Sequence, residues 1–445
     1  FCRQVVPKLP TCFVFGKTLP PRFLIAKFNQ LTVVTSVWFR RKYSSIDTLR
    51  GLEFRSAERY DWRDPLRRRH PAACRHLRAR SGKDSDRVSL TLLAVGDVSP
   101  RHADDGRNLE AVRDLLRGGD ITFGQLEEPL SNRGARQLYA GLGGPLWDGP
   151  PFSPDEGARL LLDHGFDVMS FAGNHTMDRS EESMSDTLDA AGKAGIRLIG
   201  VGADIDAARR PAVLERDGMR VGFLGYASVL PGGYAAGPGK PGVAPLRATT
   251  FYQQVDWQPG TPPKILTFPE PADMDALVAD IKALRPQVDV LIVSVHWGVH
   301  FEPQTIADYQ YAYAHAAIDA GADAVLGHHA HILKGVEVYR GKPVIYSLNN
   351  FLLRPRGDDG EWLSAANTPS DQQKSIMARF TLDQGRITRF AIQPVWLDHL
   401  PRPVAPGADD PRAAAVLDYL RWCNEQQRLD TRISLRDGEF VVDLG

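Results

Sequence analysis

Five apolar runs in this 445-residue chain each end in polar residues of the kinds that hold cations, and this repetition constrains the fold more than any other feature. Val88 to Val95 ends at Gly96-Asp97, and Ile121-Thr122-Phe123 runs into Gln125-Leu126-Glu127. Phe166 to Phe171 runs into Gly173-Asn174-His175, and Val288 to Val295 ends at His296-Trp297-Gly298. Ala324-Val325-Leu326 ends at Gly327-His328-His329-Ala330-His331. Val288 to Val295 is apolar at nearly every position and reads as a strand. Helical patterns separate the five runs at Asp155 to His164, Glu181 to Ala194, Met274 to Leu284 and Ile306 to Ala320, so the chain reads as α/β. In open α/β sheets the crevice beyond the carboxyl ends of the strands gathers loops that are distant in sequence, and these five are expected to converge there.

Charge divides the chain where the pattern begins. The totals balance at 54 Lys+Arg and 54 Asp+Glu, but residues 1–87 hold 20 basic against 7 acidic side chains, leaving 34 against 47 from Val88 onward. The expected organisation is a poorly ordered basic region at 1–87, a catalytic domain at 88–398 and a helical and strand appendage at 399–445. The appendage would contain a helix over Pro411 to Gln427 and a strand over Phe440 to Leu444. Gly/Pro-rich stretches interrupt the domain at Gly134 to Pro151 and at about 231–263. The second is long for a connection in a compact domain and reads as a lid, a substrate loop or a surface insertion.

Other function classes fall away. No run reaches the ~18 consecutive apolar residues of a membrane span; Phe23 to Phe39 contains Lys27, Asn29 and Gln30. With no clear anchor or signal peptide, a cytoplasmic location is favoured, and a membrane-associated or extracellular one would follow if the start lies further upstream. Few aromatics interleave the Arg-rich stretch, which argues against nucleic acid. The four cysteines have no metal-ligand spacing, and neither a dinucleotide fingerprint, a P-loop nor a Gly-x-Ser-x-Gly elbow occurs.

Three histidines within four positions beside Gly327 are hard to explain by packing. Imidazoles mixed with carboxylates suit one or two divalent ions of Mn, Fe or Zn. Two such ions repel, and a shared carboxylate offsets that repulsion. Asp97 and Glu127 are the available acids. Asn174 offers a neutral oxygen and His175 an imidazole for proton transfer, with Asp178 near enough in sequence to orient it.

The order Gly96-Asp97, Leu126-Glu127, Asn174-His175 with Asp178, His296-Trp297-Gly298, Gly327 to His331 and Tyr346-Ser347-Leu348-Asn349-Asn350-Phe351 resembles the bacterial CapA-type capsule-synthesis (poly-γ-glutamate biosynthesis) family. The resemblance implies a calcineurin-like metallophosphatase fold, a four-layer α/β/β/α sandwich with metals at the strand ends. It implies that Asp97 and His331 bind one metal, that Glu127 bridges, and that Asn174, His296 and His329 hold the second. His175 would be the general acid, backed by Asp178; His328, Trp297 and His300 are weaker candidates for touching substrate. Ser99 stands where related phosphoesterases carry a histidine, with His102 a distant substitute. Gln125, His300 and Asn349 stand where the family commonly has Asn, Glu and Gly.

The resemblance points to a hydrolase in which metal-activated water attacks a phosphoester or amide bond, γ-glutamyl amides included, of an anionic small-molecule or polymer substrate. The competing reading is a non-hydrolytic component of capsule or poly-γ-glutamate synthesis or export, working with that machinery at the membrane.

Overall fold

The computed structural model describes residues 89–100, 104–135, 153–353, 370–398 and 402–445. The basic region at 1–87, His102 and most of the Gly134 to Pro151 stretch lie outside them. Among the described residues no helix is long and apolar enough to cross a membrane.

Two large sheets face each other. The first has ten strands, running Ile433–Arg436, Glu439–Val442, Arg386–Leu397, Lys374–Asp383, Leu90–Val98, Ile121–Leu126, Val168–Ser170 and Arg197–Ile199; Asn350–Leu352 pairs with Leu90–Val98, and Pro403–Val404 with Arg386–Leu397. The second has six, running Val336–Tyr339, Lys342–Ile345, Ala324–His328, Val290–His296, Met219–Ala227 and Ala212–Arg216. All five expected strands form, and the ligand candidates Asp97 and His296, together with His328, lie inside their last residues rather than beyond them.

Period-two alternation assigns each strand residue to a layer. Leu90, Leu92 and Ala94 of one sheet and Val290, Ile292, Ala324 and Leu326 of the other fill the core between the sheets. Leu93 and Val95 point outward, where Leu116, Leu161 and Met184 of the helices Arg113–Arg117, Pro154–Asp163 and Ser180–Ala194 cover them. Leu291, Val293 and Val325 point the opposite way, against Leu277 and Ile281 of Pro271–Leu284 and Tyr313 and Ala317 of Asp308–Ala320. The result is the α/β/β/α sandwich expected, and burial on both faces explains why the runs are continuously apolar.

The C-terminal segment builds into this body. Ala413, Val416, Leu417 and Leu420 of the helix Pro411–Gln426 join the core between the sheets, and Glu439–Val442 extends the first sheet alongside Arg386–Leu397. The long insertion has two parts. Tyr234, Val243, Ala244 and Leu246 are buried, and Gly242–Val243 pairs with Val201–Gly202. Beyond them, Ala248–Gln253 and Lys264–Pro269 form a separate exposed two-stranded ribbon.

Candidate metal centre

The strand ends converge, and local irregularities aim their side chains. Along Leu90–Val98 the register with the neighbouring strand passes from Ala94 opposite Phe123 to Asp97 opposite Gln125, so one extra residue is accommodated. Such a bulge reverses the alternation. Asp97 therefore turns to the inter-sheet side and Val98 to the outer side, where it packs with Leu93 and Val95. Gly96 is required there: a Cβ would lie 1.6 Å from the Asn349 carbonyl oxygen, which accepts the Asp97 N–H at 3.0 Å.

Asn174 and His175 sit in a turn after Val168–Ser170, fixed by Thr176, whose hydroxyl donates to the Phe171 carbonyl at 2.6 Å and accepts from the Gly173 N–H at 3.1 Å. The histidine triplet ends a strand in which Gly327 lets two chain segments meet. A Cβ on it would lie 2.2 Å from the Tyr346 carbonyl oxygen and 2.6 Å from the Trp297 indole nitrogen. His329 and His331 have φ of 90° and 52°. Non-glycine residues held there store about 1–3 kcal/mol each and cluster at functional sites.

Three donors meet around His296: its Nε2 is 2.7 Å from Asn174 Oδ1 and 3.1 Å from His329 Nδ1. Ligands ~2.1 Å from one metal ion stand ~3 Å from each other, so the spacing fits. The carboxylates flank this group. Glu127 Oε2 is 3.9 Å from His296 Nδ1, and its Oε1 is 3.6 Å from His331 Nε2 and 4.0 Å from His175 Nε2. Asp97 Oδ2 is 3.3 Å from His331 Nδ1, and one ligand atom each from Asp97, Glu127 and His296 lies within 4.8 Å of the others.

The electrostatics fit a cation. Asp97 Oδ1, both Glu127 oxygens and His296 Nδ1 are buried with no hydrogen-bond partner among the described residues. Orphaned buried carboxylate oxygens are costly unless something charged satisfies them. Burial, then the neighbouring Asp97 charge, pushes the Glu127 carboxyl up to about 8. Burial also acts to raise Asp97, but the polar contacts with His328 and His331 outweigh it and hold Asp97 well below the usual carboxylate range. Desolvation drives His296 and His329 far below the ordinary imidazole value, leaving them as the neutral bases a metal binds.

His175 behaves differently. Burial alone would lower it, but Asp178, whose Oδ2 is 2.7 Å from His175 Nδ1, raises it to about 10, so the imidazole holds its proton. The Tyr234 hydroxyl in turn donates to Asp178 Oδ1 at 3.4 Å. Tyr234 comes from the packed part of the insertion and carried no sequence signal. Asn350 was also missed as an individual: its Oδ1 is 2.7 Å from His331 Nδ1, which leaves His331 Nε2 to face Glu127. It could have been singled out within the Tyr346 to Phe351 motif.

Two of the weaker substrate-contact candidates, Trp297 and His328, are fully buried. Trp297 is fully buried in the outer core, donates from Nε1 to the Tyr346 carbonyl at 3.0 Å and stacks on the Tyr346 ring. Alternation explains this, because residue 297 faces away from residue 296. His328 is fully buried between the sheets, 5.9 Å ring to ring from Phe123, with Nδ1 3.5 Å from Asp97 Oδ1. It stands behind Asp97, with no exposed surface. His300 is exposed and lies over the centre, its ring 3.8 Å from that of His329 and 5.2 Å from that of His331. Ser99 is buried and donates to Glu128 Oε2 at 2.6 Å. Gln125 spends its amide N–H on the Ala172 carbonyl at 3.0 Å, and Asn349 donates to the Lys374 carbonyl at 2.7 Å.

A family model described as bacterial capsule synthesis protein PGA_cap matches residues 91–354, a span containing every donor above. The chain belongs to this family. It is 28% identical over 241 residues to the PGA biosynthesis protein CapA of Bacillus subtilis, covering 54% of this chain and 53% of that one. It is 34% identical over 186 residues to a protein named "Probable polyglutamine synthesis accessory protein" in Mycobacterium tuberculosis, covering 40% and 43%. The chain thus spans about half the length of these curated PGA_cap relatives. Among solved structures it resembles a hypothetical protein from Thermus thermophilus, at 15% identity and a TM-score of 0.39, over 68% of this chain and 98% of that one.

Proposed function

We propose that this PGA_cap protein is a divalent-metal-dependent hydrolase acting on a phosphoester or amide bond, γ-glutamyl amides included, in an anionic substrate. The observation that carries the reading is the set of buried, unpartnered carboxylate oxygens beside a neutral His296 whose Nε2 lies close to both Asn174 and His329. Asn174, His296 and His329 would hold one ion, Asp97 and His331 another, with Glu127 between them. Ser99 is committed to Glu128 and adds no imidazole to the Asp97 side, so the Asn174 side is the tighter of the two. A bound ion would supply an activated water and charge stabilisation on the reacting oxygens.

The chain's own residues account for the remaining steps. His175, held protonated by Asp178, delivers a proton from Nε2 to the leaving group, and the Asp178 contact fixes which nitrogen carries it. Asn350 holds the His331 ring. His300, exposed above the two imidazoles, is the residue best positioned to meet incoming substrate.

The test is metal analysis of the purified full chain, followed by a screen of phosphoester and γ-glutamyl amide substrates. His296→Ala and His329→Ala are expected to lose bound metal and hydrolysis while keeping the wild-type circular dichroism spectrum. Activity that survives both substitutions and chelation would overturn the proposal.

The relatives' names favour a second reading, a non-hydrolytic part in capsule or poly-γ-glutamate synthesis or export. It predicts that deletion removes surface polymer and that His175→Ala, which spares the metal donors, restores the polymer as well as wild type does.

A further inference from the structure

The ribbon formed by Ala248–Gln253 and Lys264–Pro269 exposes more apolar surface than any other element described. Trp257 is 89% and Tyr252 71% exposed, and Phe251, Val255, Ile265 and Phe268 are each at least half exposed. Register puts Tyr252 beside Ile265 on one face, while Phe251 and Phe268 lie edge to face at 5.6 Å on the other. Exposed apolar side chains gathered on one small element, rather than scattered singly, mark an interaction site. Ala248 to Pro269 carries only Asp256 and Lys264 as charges, in a body that is otherwise acidic.

The two edges of the ribbon differ. The Thr267 N–H donates to Asp308 Oδ2 at 3.1 Å and its hydroxyl accepts from the Tyr309 N–H at 3.1 Å, so the start of the helix Asp308–Ala320 covers the Lys264–Pro269 edge. Among the described residues no strand pairs along the outer edge of Ala248–Gln253. Thr250 is directly opposite Thr267. Opposed residues of an antiparallel pair share one hydrogen-bonding state, so the Thr250 N–H also points away from its partner strand, toward that open edge.

We propose that the ribbon is a self-association surface, with the Ala248–Gln253 strands of two copies pairing antiparallel across a two-fold axis to give one four-stranded sheet. An open strand edge is complementary to itself in this arrangement, and a two-fold contact closes without further growth. At ~150–250 Å² per aromatic side chain, the exposed apolar side chains amount to about 700 Å² per copy. Edge pairing covers only the part of this surface that flanks Ala248–Gln253, less than the ~800 Å² a standard interface takes from each partner, so the expected dimer is a weak one held by backbone hydrogen bonds across the edge and the side chains beside it. Two acidic bodies would meet only through the segment that carries almost no charge.

The experiment is sedimentation velocity on the full chain across the micromolar range, with or without metal, since the inference does not depend on the hydrolase reading. The expected species has twice the 49.2 kDa of one chain. Thr250→Pro removes an outward N–H while keeping the ladder to Lys264–Pro269, and Tyr252→Lys puts a charge on each pairing strand, as edges that resist association carry. Each is expected to weaken association by roughly 30-fold or more, with circular dichroism unchanged. A wild-type chain that stays at 49.2 kDa throughout, or dimers indifferent to both variants, overturns the proposal. So does a monomer that binds phosphatidylglycerol vesicles through Tyr252, which would assign the ribbon to a lipid surface.

Discussion

Glu127→Gln is expected to stabilise the chelator-treated protein by an amount that grows with pH, while abolishing its response to metal. Glu127 is buried, both its oxygens lack partners, and burial beside Asp97 raises its carboxyl from 4.5 to about 8. A carboxyl whose folded pKa is raised is penalised wherever the unfolded chain would ionise it. The penalty is absent below about pH 4.5, grows through the window from 4.5 to 8, and is complete above it. At ~1.36 kcal/mol per unit, it amounts to about 3 kcal/mol at pH 7 and increases by about 3 kcal/mol between pH 5 and pH 8. Glutamine keeps the shape without the charge, and its own unsatisfied amide costs ~1–3 kcal/mol at every pH. The readout is therefore the difference in Tm between variant and wild type, followed by calorimetry in chelator from pH 5 to pH 8. It should rise by several degrees, at about 2–4 °C per kcal/mol for a large domain. With Mn or Zn added, the wild type should gain Tm and the variant should not. A difference that stays flat or falls with pH would refute the claim that Glu127 is a charge held for a cation.

The remaining predictions address the supports of the site. Asp178→Asn should leave metal content intact and, by removing the contact that keeps His175 protonated, move the alkaline limb of the kcat profile to lower pH. Gly96→Ala forces a Cβ onto the Asn349 carbonyl and should destabilise the protein by about 3 kcal/mol or more with loss of metal, read by denaturant unfolding and metal analysis. Trp297→Phe should cost about 1–3 kcal/mol, because the buried Tyr346 carbonyl loses its indole donor, and should leave KM unchanged; an altered KM would restore Trp297 to the substrate site.

Much of the fold was legible because both sheets are covered on both faces, which makes strands read as apolar runs with the polar residues confined to their ends. Missing from the sequence reading were the strands that meet at tight hairpins, except the last, which was expected at Phe440 to Leu444 and forms at Glu439–Val442. Asp217-Gly218, Arg340-Gly341, Gln384-Gly385 and Asp437-Gly438 each have positive φ at both positions, as two-residue turns of type I′ require. The two Asp-Gly pairs were readable signals for the Ala212–Arg216 and Ile433–Arg436 hairpins. Arg340-Gly341 and Gln384-Gly385 lack the Asn or Asp that usually marks such turns, and there tertiary packing overrides a weak local preference. Tyr234 was invisible for a different reason: its contact with Asp178 spans two segments that nothing in their local patterns links.

Within the site, regular alternation and its interruption account for where each candidate side chain lies. Where the strand continues unbroken, neighbours in sequence face opposite ways, so Trp297 enters the outer core although it follows a ligand candidate, and His328 points between the sheets behind Asp97. Where alternation breaks, the donors appear. The bulge before Asp97 turns a residue that would have faced the outer helices toward His331, and the left-handed backbone at His329 and His331 swings both rings to one side of the strand end. Each break leaves a local fault: an obligatory glycine, a disfavoured φ, or a carboxylate oxygen with no partner. Faults spread through a structure would signal poor packing, but these meet around Glu127, where one kind of occupant, a divalent cation, would offset the charge they concentrate.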